Sequence, residues 1–137
     1  MVVKICGVTR AVDAQIAVEA GATALGFNFW PRSPRCVSAA VARDIVRTVP
    51  VGVWTVGVFV DQPVEEMAAV RAEAGLSMVQ LHGHERPEVA TSLGGAVIRA
   101  VGIDDVEAEA EAWPAETTWL LDAIDPARRG GTGVLVD

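Results

Sequence analysis

Met78-Val79-Gln80-Leu81-His82-Gly83 is the stretch on which the reading of this chain turns. A short apolar run bounded by polar residues reads as a strand, and successive strand side chains point to opposite faces. Gln80 and His82 therefore share one face with Met78. The same offset recurs elsewhere. Val2, Lys4 and Cys6 share a face of a strand over residues 2–6, Gly26 and Asn28 one over 24–29, and Val97 and Arg99 one over 96–101. Strands over 53–59 and 118–122 complete a set of six, with the fourth taken as 78–82. Helical spacing marks the intervening segments 11–20, 39–49, 64–74, 87–93 and 105–112. Thr9 and Ser38 are placed to cap the first two helices, Gly21 and Gly75 to end the first and third, and Pro87 to open the fourth.

Strands alternating with helices imply a parallel sheet with crossover helices, in either a doubly wound sheet or a (β/α)8 barrel. The polar residues separate the two. An open sheet covered by helices on both faces would bury Lys4, Asn28, Gln80, His82 and Arg99 among apolar side chains, whereas a barrel interior gathers them where they satisfy one another or meet a ligand. The expected fold is therefore α/β, a parallel TIM barrel with about six βα units, in one domain over residues 1–137. A complete barrel takes roughly 200 to 250 residues, so six strands leave it unclosed. Its end strands would expose unpaired edges, an invitation to self-association.

Composition narrows the partners. Of 137 residues 51% are hydrophobic, and 18 acidic side chains against 11 basic ones give a net charge of −7. The apolar content supports a packed core, and the absence of a cationic face argues against nucleic acid and anionic membranes. The longest apolar run, 51–60, is interrupted by Thr55 and is far shorter than the roughly 20 residues of a membrane helix. With no secretion signal at the N-terminus, the expected location is the cytoplasm. Cys6 and Cys36 do not make a disulfide framework.

The chemistry-bearing candidates cluster after strands. Cys6 ends the first strand, where parallel α/β folds place reacting groups, although a cysteine there reads equally well as a small buried hydrophobe. Asp122 emerges from the apolar Trp119-Leu120-Leu121 and either faces a ligand or opens a turn before Pro126. Arg35, in the loop Trp30-Pro31-Arg32-Ser33-Pro34-Arg35, has the geometry to take a carboxylate in bidentate fashion, but an arginine in a polar loop is more often solvated. His82 and His84 lack a third ligand nearby and do not read as a metal site. Lys4, the single lysine of the chain, would point inward, where it must pair or bind an anion. Gly130, Gly131 and Gly133 match neither nucleotide fingerprint and read as a loop.

Together these segments resemble phosphoribosylanthranilate isomerases. Lys4-Ile5-Cys6-Gly7-Val8-Thr9, Gly26-Phe27-Asn28-Phe29-Trp30-Pro31-Arg32-Ser33-Pro34-Arg35, Val56-Gly57-Val58-Phe59-Val60, Val79-Gln80-Leu81-His82-Gly83, Leu120-Leu121-Asp122 and Gly130-Gly131-Thr132-Gly133 occur in that family's order and spacing. The resemblance implies a (β/α)8 barrel of tryptophan biosynthesis acting on a phosphorylated sugar–anthranilate, without cofactor or metal. It implies Asp122 as general acid, Cys6 as general base and Arg35 as the grip on the anthranilate carboxylate. Lys4, Asn28, Gln80, His82 and Arg99 take supporting, substrate-binding places. The family continues through two further βα units whose Gly-rich loops bind phosphate, so an inactive remnant or a binding module is the alternative expectation.

Overall fold

The computed structural model describes residues 1–122. Its elements follow in strict alternation: β1 (Lys4–Cys6), α1 (Ala11–Glu19), β2 (Ala24–Asn28), α2 (Ala39–Val46), β3 (Trp54–Phe59), α3 (Val64–Ala74), β4 (Met78–Leu81), α4 (Pro87–Leu93), β5 (Val97–Gly102), α5 (Val106–Ala110) and β6 (Thr118–Asp122). All six expected strands and five expected helices are present. Several expected ends overshoot the observed ones by one to three residues. The edge strand β1 starts at Lys4 because the Val3 N–H is taken by the Thr23 hydroxyl at 2.8 Å. His82 lies one residue beyond β4, yet its N–H still donates to the Phe59 carbonyl at 3.0 Å.

The strands pair in parallel in the order β1-β2-β3-β4-β5-β6. A doubly wound sheet reverses its strand order at a switch point, and this one never does. Crossovers of one hand, each to the next strand, keep every helix on one side and curl the sheet into part of a barrel. Helices α1 to α4 pack each against the next on that outer side.

Local chemistry explains the boundaries. The Ser38 hydroxyl accepts the Val41 N–H at the start of α2, Pro87 occupies the first turn of α4, and Gly75 ends α3 at a φ of +72°. Thr9 does not cap α1. Arg10 holds the cap position in extended backbone without a side-chain cap, and its guanidinium instead grips Asp13 in the first turn at 2.9 Å.

Register sorts the side chains into two layers. Leu25, Phe27, Phe59, Val79, Leu81 and Val97 face the helices and join Met67 of α3 in the main core. Phe29 and Phe59 stack with centroids 5.2 Å apart. A Cβ on Gly57 would stand 2.9 Å from Phe59 and 2.7 Å from Leu76, so bare backbone there admits the stack. The concave face carries a smaller cluster of Val56, Met78 and Ile98, with Lys4, Cys6, Gly26, Asn28 and Gln80 beside it in register.

Arg99 departs from expectation. Leu81 pairs with Arg99 and Gln80 with Ile98, which places Ile98, Ala100 and Gly102 on the concave face and Arg99 on the helix side. The misassignment has a simple cause: β5 is buried along its whole length, so apolar residues occupy both its faces and alternation carries no sign.

Candidate active site

Cys6 stands at the C-terminal end of β1, and Gly7 turns the chain away at a φ of +81°. The N–H groups of Gly7 and Val8 both donate to the Gly26 carbonyl at 3.0 Å, strapping this turn to β2. Glycine is needed at position 7 twice over. Its φ is one that L side chains rarely adopt, and a Cβ there would lie 2.6 to 2.8 Å from Cδ, Nη1 and Cζ of Arg35. Arg35 thus lies across the turn, its Nη1 donating to the Cys6 carbonyl at 3.4 Å.

The loop bearing Arg35 is organised by Asn28. Its side-chain oxygen accepts the Trp30 N–H at 2.8 Å, and its backbone carbonyl accepts the Val37 N–H at 2.9 Å. The Ser33 hydroxyl accepts the Arg35 N–H at 3.2 Å. The structure therefore gives the side-chain oxygen of Asn28 a loop-pinning duty.

Gly26 makes room between strands. A Cβ there would meet Cys6 Sγ at 2.8 Å and Lys4 Nζ at 3.2 Å, so the thiol and the ammonium share the space that a methyl group would fill. Lys4 has no carboxylate partner among the described residues.

On the other side of the concave face, His82 bridges two expected residues. Its Nε2 lies 3.0 Å from Asp122 Oδ2 and its Nδ1 3.3 Å from Gln80 Nε2. Burial pushes the His82 imidazole below its ordinary value, and Lys4 pushes the same way. Asp122 and Glu85 oppose them without prevailing. The ring is therefore neutral near neutral pH. Asp122 is about a quarter exposed, with a side-chain accessibility of 28%, so its carboxyl faces both the histidine and open space.

Seven expected residues thus lie on this concave face or the loop above it, and Arg99 does not. Its guanidinium donates to the Gly83 carbonyl and Glu85 Oε1 at 3.0 and 3.1 Å, and to both oxygens of Glu109 at 2.8 and 3.1 Å. It also lies 4.9 Å from the Trp113 ring centroid. Glu85 reaches on to the N–H groups of Asp61 and Gly83. This network was not read from the sequence, because Glu85 and Glu109 sit in polar stretches that look solvated. Their one signal was Arg99 itself, a charge inside an apolar strand that requires partners. His84 is turned outward with its Nδ1 3.6 Å from Asp61, and Gly130 to Gly133 lie outside the described residues.

Comparison with known proteins places these features in context. The family model for N-(5′-phosphoribosyl)anthranilate (PRA) isomerase matches residues 3–137. The N-(5′-phosphoribosyl)anthranilate isomerase of Rubrobacter xylanophilus is 44% identical over 98% of this chain and 68% of its own length. The crystal structure of the Thermotoga maritima phosphoribosyl anthranilate isomerase superposes with a TM-score of 0.87 at 39% identity, covering 98% of this chain and 67% of that one. A phosphoribosyl anthranilate isomerase solved in complex with reduced 1-(o-carboxyphenylamino)-1-deoxyribulose 5-phosphate gives a TM-score of 0.83 at 41% identity, covering 91% of this chain and 66% of that one. The chain spans about two thirds of the length of these relatives.

Proposed function

This chain belongs to the N-(5′-phosphoribosyl)anthranilate isomerase family, and from that premise we propose that it carries the acid–base machinery for the Amadori rearrangement of N-(5-phosphoribosyl)anthranilate in tryptophan biosynthesis. The observation that carries this reading is the disposition of Cys6 beside Lys4 at one end of the curled sheet and Asp122 on His82 at the other, both opening to the concave face.

Asp122 donates its proton to the ribose ring oxygen, the C1–O bond breaks, and the anthranilate nitrogen lone pair forms an iminium. The Cys6 thiolate then takes the proton from C2, and the electrons of that C–H bond neutralise the iminium to give an enolamine. Tautomerisation places the carbonyl at C2. Each catalytic transfer of this kind contributes about 10²- to 10⁴-fold. Arg35, held over the Cys6 turn, has the planar donor pair for the anthranilate carboxylate. Lys4 borders the same space as the Cys6 sulfur, Asn28 fixes the Arg35 loop, and Gln80 and His82 line the path between base and acid. The phosphorylated ligand of the solved relative supports the substrate class. Exposed Ile5 on β1 and Leu121 on β6, the end strands of the described sheet, support self-association through those edges, read as concentration-dependent mass in sedimentation.

The test is turnover of N-(5-phosphoribosyl)anthranilate by the chain and by Cys6→Ala and Asp122→Asn variants. Activity that falls at least about 100-fold in each variant supports the assignment. Undiminished activity in either removes that residue from its role. Binding of an anthranilate-like acid without turnover would instead favour a binding module.

A further inference from the structure

Gln80 is 2% exposed, and its Oε1 has no hydrogen-bond partner among the described residues. A buried amide oxygen left this way is costly. Its other end, Nε2, faces His82 Nδ1 at 3.3 Å, and His82 Nε2 faces Asp122 Oδ2 at 3.0 Å. An amide NH2 only donates. In this arrangement Nδ1 therefore offers a lone pair, the single ring proton sits on Nε2, and Asp122 accepts it as a carboxylate.

A terminal amide keeps nearly the same shape when turned over. With Gln80 reversed, Oε1 accepts a proton from Nδ1 and Nε2 takes over the end of the amide that lacks a partner among the described residues, so each orientation satisfies one end only. His82 Nε2 then carries the lone pair, and Asp122 must donate to it as a carboxylic acid. The ring holds one proton in both forms, and the second form holds one more, on Asp122. Among the described residues, charged groups that act on the ring are Asp122 from β6, Lys4 from β1 and Glu85 from the loop after β4. With burial they leave the ring neutral, so its one proton must choose a nitrogen.

We propose that Gln80 and His82 form a tautomer relay: the amide orientation selects the ring tautomer, and the tautomer selects the acid or carboxylate form of Asp122. This deepens the reading of Asp122 as proton donor and gives Gln80 and His82 positioning roles. When Asp122 passes its proton to the substrate oxygen, its carboxylate faces a lone pair until the ring, 16% accessible, gives its Nδ1 proton to water and takes one from water at Nε2, and the amide turns. Reprotonation of Asp122 reverses both changes.

The test follows the His82 ring nitrogens by 15N NMR in the full chain as pH is varied, together with the Asp122 carboxyl carbon. The expected result is a proton on Nδ1 while Asp122 is protonated and on Nε2 once it is ionised, the two signals changing together. A ring proton that stays on one nitrogen throughout the Asp122 titration overturns the relay. Gln80→Met, close in size but without an amide, should uncouple the signals and move the pH profile of kcat by about one unit, with KM changing less than about threefold. Unchanged signals and profile in folded Gln80→Met overturn it as well. If that variant does not fold, the wild-type ring nitrogens still decide. The spectra need no turnover: coupled signals in an inactive chain sink the proposed reaction and keep the relay, and a fixed tautomer in an active chain does the reverse.

Discussion

Arg99 and Lys4 occupy opposite faces of the same sheet, and they are treated in opposite ways. Arg99 is enclosed, with carboxylates on two sides, a carbonyl and an indole, and its side chain is only 6% accessible. Lys4 stands against a thiol and a neutral histidine with no carboxylate among the described residues. A buried charge with four of its five N–H donors used and an indole against it has little left to offer a substrate, and it works as a fastening. A cation left short of partners retains its field for whatever enters beside it. The Arg99 network ties the loop after β4 to β5 and α5, and so fixes the carbonyl of Gly83 next to His82. The helix side thus holds still what the concave side uses.

The strongest way to break this contrast is Arg99→Ala. It leaves Glu85, whose side chain is 2% accessible, buried without its counter-charge and held only by the Asp61 and Gly83 N–H groups, and should cost about 3 to 5 kcal/mol in urea unfolding. If the variant keeps its stability and loses only activity, Arg99 belongs to the site after all. Arg35→Ala probes the other side. Among the described residues the Cys6 carbonyl is the Arg35 guanidinium's one hydrogen-bond partner, so the fold should be almost untouched while kcat/KM falls by the equivalent of about 1.5 to 3 kcal/mol, mostly through KM. Loss of stability without loss of affinity would make it a loop strut.

Gly26→Ala sharpens the contrast further. The new methyl would press on Cys6 Sγ and Lys4 Nζ, side-chain atoms that can move, and on the Cys6 Cα at 3.2 Å, which cannot move without the strand, so the expected cost is about 1 to 3 kcal/mol in stability, with a clear fall in kcat. A crystal structure with both groups undisplaced, or unchanged turnover, would count against a shared pocket. The smallest effect is in pH. His82 is neutral when folded, with its pKa below the ordinary 6.5, so unfolding takes up a proton as the pH drops below that value. Its share of the stability is present above pH 6.5 and is lost as the pH falls toward the lower folded value, by at most about 1.4 kcal/mol per pH unit for one group. Unfolding measured across that range should show a shallower slope in His82→Gln, and an identical slope would mean that other groups carry it.

The concave residues were easier to read than the helix-side ones, for a physical reason. Lys4, Cys6, Gln80 and His82 lie on strands β1 and β4 or just past them, where polar residues are rare and each stands out. Asp122 marks the place where an apolar strand gives way. Asn28 was found for its place on β2, but its loop-pinning hydrogen bond depends on how residues 30–37 fold back, which no alternation predicts. Glu85 and Glu109 were invisible because acidic residues in a polar segment look the same whether they meet water or a buried guanidinium.

Local chemistry therefore determined the element sequence: the apolar runs, the Ser38 cap, Pro87 at a helix start and Gly75 at a helix end all act within a few residues of themselves. The motifs along the chain determined the family in the same local way. Tertiary structure alone decided which face each side chain joined on β5, who partners Arg99, and that His82 bridges Gln80 and Asp122 across 40 residues of chain. Those facts come from register between strands, and register is set by how whole layers pack rather than by any one segment.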